Sequence, residues 1–324
     1  MGLATASQIA GSLASVALAA ALVKAFSGKG LLPPDLLTTG LLAAVALGAA
    51  LTVAGATRFG LPISTTHAIV GALVGAGAVR AGAALDLAAL SSAFALPLAV
   101  GPVIAVALAW LLLRGGRAGA DRLGLARGDC VCVGPELTIA PGVAASTAIE
   151  SLGVTVAPSA ECRAHDDLQL AGVDLDRALH RGHVLSATAV GFARGLNDTP
   201  KILGLLVGAA VIDPTLGALV LGVAMALGGW FAARRVADTL ALKLTPMHSG
   251  QGFAANLATS ILVIGASHVG VPVSTTHVST GGILGIGAAA RTLQRRKTRE
   301  ILGAWVGTLP VAAALGALLA WNFA

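Results

Sequence analysis

The chain has 324 residues, of which 56% are apolar and 11% charged, where an ordinary soluble domain has roughly 45–50% and about 25%; its mean hydropathy is +0.86. These values exclude a water-soluble globule, and apolar runs of about 20 residues exclude a closed membrane β-barrel, whose strands are short and alternate. The net charge of +6 is spread over short basic clusters between apolar runs, and there are no Tyr, four Trp and seven Phe, so it reads as positive-inside bias and not as a nucleic-acid surface.

In chain order, residues 1–23 are apolar but have no basic leader and run into further hydrophobic segments, which predicts a membrane helix of the mature chain and not a signal peptide. An apolar segment broken at Pro62-Ile63-Ser64-Thr65-Thr66-His67 follows, then a run over 84–113 long enough to cross a core of about 30 Å. Residues 114–182 hold sixteen Asp, Glu, Arg and Lys and no spanning segment. The runs 130–133 and 153–157 there are strand-compatible and followed by Pro. Cys130, Cys132, Cys162 and His165 fall in the same stretch; they offer four zinc ligands at loose spacing, or three reduced thiols and no metal. The second half predicts a span over 183–210, another over 214–235, an apolar stretch over 250–290 broken at Pro272, and a last span over 300–322. The organisation is thus a first membrane repeat (1–113), a central loop or small subdomain (114–182) and a second membrane repeat (183–324).

The halves repeat at an offset of 210 residues: GATRFGLPISTTHAIVGALVGAGA from Gly55 and GASHVGVPVSTTHVSTGGILGIGA from Gly265 match at 12 of 24 positions without a gap. In that register Met1 pairs with Val211, so residues 183–210 have no counterpart and the first repeat lacks an opening helix. Either the true start lies about 30 residues upstream, one span, or the chain is a truncated variant. If each broken stretch is a re-entrant hairpin, a complete repeat crosses three times, and an odd number inverts one repeat relative to the other. The expected fold is an all-α polytopic membrane protein of inverted repeats with re-entrant helical hairpins. The basic residues Arg234, Arg235, Lys243, Arg291, Arg295, Arg296, Lys297 and Arg299 place the second-repeat connections and the central loop in the cytoplasm, with the chain in the plasma (inner) membrane.

Helices broken at matched places in two halves are a sequence pointer to a transporter binding site. Ser and Thr cap helix N-termini, and an N-terminus with free N–H groups, a positive dipole end and three hydroxyls suits a tetrahedral oxyanion. Ser64, Thr65, Thr66, Ser274, Thr275 and Thr276 supply those hydroxyls. The second constellation, Gly195-Leu196-Asn197-Asp198-Thr199-Pro200-Lys201, puts an amide, a carboxylate and an ammonium at membrane depth, where they are costly and functional. Gly195 and Pro200 allow local unwinding, so that carbonyls with the Asn197 and Asp198 oxygens hold a monovalent cation, or Asp198 carries a proton. Lys201 pairs with Asp198 or faces the anion; His67 and His277 donate to the anion or cap their hairpins; Arg58 adds positive potential or snorkels at a helix end. Asn256 and Gln251 are candidate interhelical hydrogen bonders.

The duplicated G-x-P-x-S-T-T-H hairpin, with F-A-R-G-L-N-D-T-P-K opening the second half, resembles the PiT-type inorganic phosphate transporters, whose signature is a G-x-N-D element and an S-T-T loop in each repeat. The resemblance implies Na⁺- or H⁺-coupled phosphate symport by alternating access, no enzymatic cofactor and a homodimer. Carried over residue by residue, the six hydroxyls above line the phosphate site, and Asn197 and Asp198 belong to the cation and substrate site. The family's first N-D element would lie upstream of Met1, which leaves a truncated, non-transporting membrane subunit as one alternative. Sulfate is the other, although protonated phosphate can donate to Asp198 and sulfate cannot. An enzyme is excluded, because no nucleophile–base set exists outside the intramembrane Ser and His residues.

Overall fold

The computed structural model describes residues 2–28, 30–126, 129–138, 149–158, 171–208 and 213–322. The membrane part is helical. α1 (Gly2–Leu18) and α2 (Ala20–Phe26) meet at an 84° bend. α3 (Thr39–Arg58) and α4 (Thr65–Ala81) form the first hairpin, and α5 (Leu87–Leu90) runs through a π-turn at Ser91–Ala95 into α6 (Leu96–Arg122). In the second half come α7 (Leu175–Gly208), α8 (Pro214–Ala232), the short α9 (Arg234–Asp238), the hairpin of α10 (Ser249–His268) and α11 (Thr275–Ala290), and α12 (Arg295–Asn322). Among the described residues four helices are long and apolar enough to cross a bilayer, or five if the bent α1–α2 pair is one span. α7 has the length, 34 residues, but carries Arg194, Asp198 and Lys201 in its C-terminal half.

Caps set the starts of these helices. Thr38 accepts from Leu41 N–H at the start of α3, and Asp213 accepts from Thr215 and Leu216 N–H at α8, where Pro214 occupies the first turn. The repeat is visible in these bounds: displaced by 210 residues, α3 becomes α10 with the same first and last positions, and α4 begins where α11 begins. α7 has no counterpart among the described helices, in line with the offset. It begins at Leu175, eight residues earlier than the sequence boundary, and the predicted break at Gly195 and Pro200 is absent. Pro200 costs one backbone hydrogen bond, and packing against α1 and α10 on either side keeps the helix continuous through it.

Gly195 serves the packing instead. A Cβ there would lie 2.0 Å from the Gln8 carbonyl oxygen, and one at Gly11 would lie 2.1 Å from that of Phe192, so α1 and α7 touch backbone to backbone. The hairpins pack reciprocally across the repeats: Gly71 and Gly75 of α4 press on the backbone of α12 at Leu309 and Ala313, while Gly281 and Gly285 of α11 press on α6 at Pro102 and Val106. Each hairpin is therefore clasped by the last helix of the other half. Asn256 bridges α10 to α7 by donating to Ser186 Oγ at 3.3 Å, as the sequence suggests. Gln251 does not cross; its Oε1 accepts from His248 N–H inside the α10 capping box.

The central segment holds three antiparallel strands, β1 (Asp129–Thr138), β2 (Ile149–Pro158) and β3 (Ala171–Asp174), in the order β2-β1-β3. The two predicted runs are neighbours in it, with Cys130 opposite Ala157 and Val133 opposite Val154. Cys130 is buried. Cys162 and His165 lie outside the described residues, within which no cluster of three or more metal-ligating side chains occurs.

The α1–α7 contact has a direct test. Gly195→Val forces side-chain atoms into the Gln8 carbonyl, and a loss of about 1–3 kcal/mol or more is expected, read as a lower thermal midpoint in detergent. Gly228→Ala, with no atom of the described residues within 4 Å of the new Cβ, should leave that midpoint unchanged.

Candidate substrate and cation site

The site is built where the two hairpins turn. α3 and α10 each end at a left-handed glycine, Gly60 (φ 68°) and Gly270 (φ 76°), which reverses the chain at no Cβ cost. Two residues later Pro62 and Pro272 hold the chain extended, and Ser64 and Ser274 start α4 and α11 as extended N-caps. Each Ser Oγ accepts from the backbone N–H three residues on, at 3.0 Å from His67 and 3.1 Å from His277. The serines thus cap both hairpins, and the imidazoles do not.

The imidazoles bring the tips together. The His67 and His277 ring centroids are 4.5 Å apart, and His277 stacks on Trp305 of α12 at 3.9 Å. The Trp305 indole N–H donates to the Pro62 carbonyl at 3.0 Å, so one aromatic of the second half holds both tips. Among the described residues, Nδ1 of His67 and Nε2 of His277 are buried without a hydrogen-bond partner.

α7 passes beside the paired tips and inserts its polar face. Asn197 and Lys201, four residues apart, share that face with Asp198; Asn197 and Lys201 are fully buried and Asp198 is 4% exposed. Lys201 Nζ donates to the Val273 carbonyl (2.7 Å), Thr66 Oγ1 (2.8 Å) and Asp198 Oδ1 (3.1 Å). Asn197 Nδ2 donates to Thr275 Oγ1 at 2.8 Å and to the Val273 carbonyl at 3.2 Å, and its Oδ1 accepts from Ser267 Oγ at 3.2 Å. Thr275 Oγ1 donates to Asp198 Oδ1 at 3.3 Å, and Asp198 Oδ2 lies 3.6 Å from the half-exposed Arg194 guanidinium. One carboxylate is set against an ammonium, a guanidinium and two helix N-termini, each equivalent to roughly half a positive charge. The balance is positive and offers hydroxyl and N–H donors, which is the complement of an oxyanion.

Of the residues singled out from sequence, Thr66, Thr275, Asn197, Asp198 and Lys201 meet in one hydrogen-bonded cluster, with Ser64 and Ser274 as the caps behind it. Thr65 and Thr276 are half-buried beside it, and their hydroxyls enter none of the bonds described. Lys201 pairs with Asp198, the first of its two sequence expectations, and also reaches Thr66 of the first S-T-T tip. Arg58 is exposed at the end of α3, where its carbonyl accepts from Arg235 Nη1 at 2.9 Å; its side chain is outside the cluster. Ser267, Trp305 and the Val273 carbonyl carried no sequence signal, and Arg194 lay in a quoted motif without a role.

Residues 1–316 match the phosphate transporter family. A Mycobacterium bovis protein named as a phosphate permease is 36% identical over 148 residues, which is 42% of this chain and 26% of that one. A Pyrococcus abyssi protein also named as a phosphate permease is 27% identical over 322 residues, 88% of this chain and 78% of that one. The sodium-dependent phosphate transporter 1 of Pongo abelii is 32% identical over 149 residues, 42% of this chain and 22% of that one; the match thus spans about a quarter of the Mycobacterium and Pongo proteins. A solved structure titled the sodium-dependent phosphate transporter superposes with a TM-score of 0.71 at 21% identity, over 99% of this chain and 90% of that chain, a likeness of fold.

The pairing at Lys201 is testable by stability. Lys201→Met leaves the Asp198 carboxylate buried without its ammonium, and a loss of about 3–5 kcal/mol is expected as a lower thermal midpoint. The double variant Asp198→Asn/Lys201→Met removes both charges and should regain most of it. Equal losses in the single and double variants would show that the ion pair is not what Lys201 contributes.

Proposed function

The chain belongs to the phosphate transporter family, and we propose that it moves inorganic phosphate into the cell by cation-coupled symport through the cluster at the paired hairpin tips. One observation carries this reading: Asn197, Asp198 and Lys201 are buried on one face of the C-terminal half of α7 and bonded to both S-T-T tips. Buried ionisable groups at that depth are costly and serve transport pathways. In this reading the phosphate oxygens take the N–H groups and hydroxyls at the starts of α4 and α11, from Ser64, Thr65, Thr66, Ser274, Thr275 and Thr276. The Lys201 ammonium exchanges the Thr66 and Val273 oxygens for phosphate, and Asn197 and Asp198 hold the cation.

Coupling follows from charge. Phosphate near pH 7 is a mixture of mono- and dianion, and moving one charge across 100 mV is worth about 2.3 kcal/mol, so entry into a negative interior requires co-transported Na⁺ or H⁺. The sodium dependence in the name of the Pongo abelii relative favours Na⁺. The reciprocal clasp of each hairpin by the other half supports inverted repeats that rock about a shared site. The plasma membrane, a cytoplasmic central loop and a homodimer belong to the same reading; the first two rest on the distribution of basic residues, the last on the resemblance to the family.

Proteoliposome uptake of labelled phosphate tests it. Thr66→Ala and Thr275→Ala should each lower uptake by about tenfold, the loss of one charge-assisted or buried hydrogen bond; undiminished uptake in both overturns the site. An imposed Na⁺ gradient at equal pH should drive accumulation, and a pH gradient in Na⁺-free buffer should not. Sulfate in large excess should compete poorly, since the Asp198 carboxylate accepts a proton donor that phosphate has and sulfate lacks; full competition would favour a general oxyanion permease.

A further inference from the structure

Away from the hairpin tips, a groove of about 480 Å³ opens between the end of α6 and the end of α11, lined by Trp110, Arg114, Arg117, Asp121, Ala288 and Arg291. The spacing of Trp110, Arg114, Arg117 and Asp121 places all four on one face of α6. Their level is the polar boundary of the bilayer: the apolar part of α6 ends at Leu113, and α11 ends at Ala290, just before the basic start of α12. Trp at that level is an interfacial residue. The Arg114 guanidinium lies 4.9 Å from the Trp110 ring centroid, which orients it by cation–π attraction. Among the described residues none of the three arginines forms an ion pair or a side-chain hydrogen bond, in contrast to Arg296 and Lys297, which both hold Glu300.

Arg291 adds a second observation. It is the C-cap of α11 with φ 59°, and among the described residues no other non-glycine has a positive φ. The first repeat closes α4 with a glycine, Gly82, which also has a positive φ (53°) and lies one position later in the 210-residue register. A positive φ costs a residue with a Cβ and costs glycine nothing, so Arg291 holds a strained backbone position while its side chain lines the groove. Three guanidiniums against one carboxylate leave the groove with two net positive charges, and the volume lies within the range of roughly 300–1,000 Å³ typical of small-molecule sites.

We propose that this groove is a lipid site that holds the headgroup of an anionic phospholipid, with the phosphodiester on Arg114, Arg117 and Arg291 and a headgroup hydroxyl on Asp121. Phosphate oxygens match the planar donor fork of arginine, and the interfacial level is where a headgroup lies while its acyl chains follow the apolar part of α6. The carboxylate excludes headgroups without a donor to offer it. A glycerol headgroup fits both ends of the groove.

The test is native mass spectrometry on the full chain in non-ionic detergent, titrated separately with dioleoyl-phosphatidylglycerol, dioleoyl-phosphatidylcholine and inorganic phosphate. Phosphatidylglycerol should be retained about tenfold more tightly than phosphatidylcholine, and Arg117→Gln/Arg291→Gly should lose about tenfold of that retention. Arg291→Gly alone suits its backbone position and should keep the wild-type thermal midpoint while weakening the lipid. Equal retention of the two lipids, or unchanged retention in both variants, overturns the proposal. So does displacement of the lipid by inorganic phosphate at comparable concentration, which would make the groove a site for the free anion.

Discussion

An ammonium with no access to water must be given oxygen, and in this chain that requirement falls on Lys201. Its three protons go to Asp198 on its own helix, to Thr66 on α4 and to the Val273 carbonyl just before α11. A buried lysine without these acceptors would cost several kcal/mol, so the positions of α7 and the two hairpin tips are not independent. Asn197 repeats the constraint with an amide, tying the Val273 carbonyl and Thr275 to Ser267. The polar cluster is fully connected, which is the condition under which buried polar groups specify one arrangement instead of several.

The rest of the membrane part lets that cluster form. Lipid supplies no hydrophobic drive for helix association, so close backbone contact must do so, and the glycine faces of α1–α7, α4–α12 and α6–α11 provide it. Because each hairpin is clasped by the last helix of the other half, the two tips are held face to face, and Trp305 joins them through His277 and Pro62. The large apolar side chains go outward instead: Leu216, Leu219, Val223, Leu227, Trp230 and Phe231 of α8 are exposed, as expected of a surface in contact with acyl chains.

The two repeats are alike in backbone and unlike in chemistry. Gly60 and Gly270, Pro62 and Pro272, and Ser64 and Ser274 do the same work in each tip. The threonines do not: Thr66 bonds Lys201 in the first tip, whereas Thr275, the counterpart of Thr65, bonds Asn197 and Asp198 in the second. The cause is α7, which presents one set of charged groups to a pair of tips related by the repeat and so cannot treat them equally.

Local rules made a large part of this legible in the residues alone. Apolar length predicted the spans over 84–113, 214–235 and 300–322, although the one helix expected over 1–23 is bent by 84° into two; Gly-x-Pro-x-Ser predicted a broken helix with a serine cap, the 210-residue offset predicted the matched bounds of α3 and α10, and strand-like runs at 130–133 and 153–157 became partners in one sheet. The break expected in α7 did not appear, because a glycine and a proline permit unwinding while lateral packing decides whether it happens. Nor could the residues alone bring Ser267, Trp305 or the Val273 carbonyl to the cluster at the paired tips, or leave the Arg58 side chain outside it. Those contacts join positions 70 to 243 residues apart, and their partners are chosen by how whole helices cross. The sequence by itself determined which groups would be buried and therefore had to be satisfied, since burial follows from composition and period; only the tertiary structure decided which oxygen satisfied which proton, because a hydrogen bond is made within about 3 Å and that distance is set by packing.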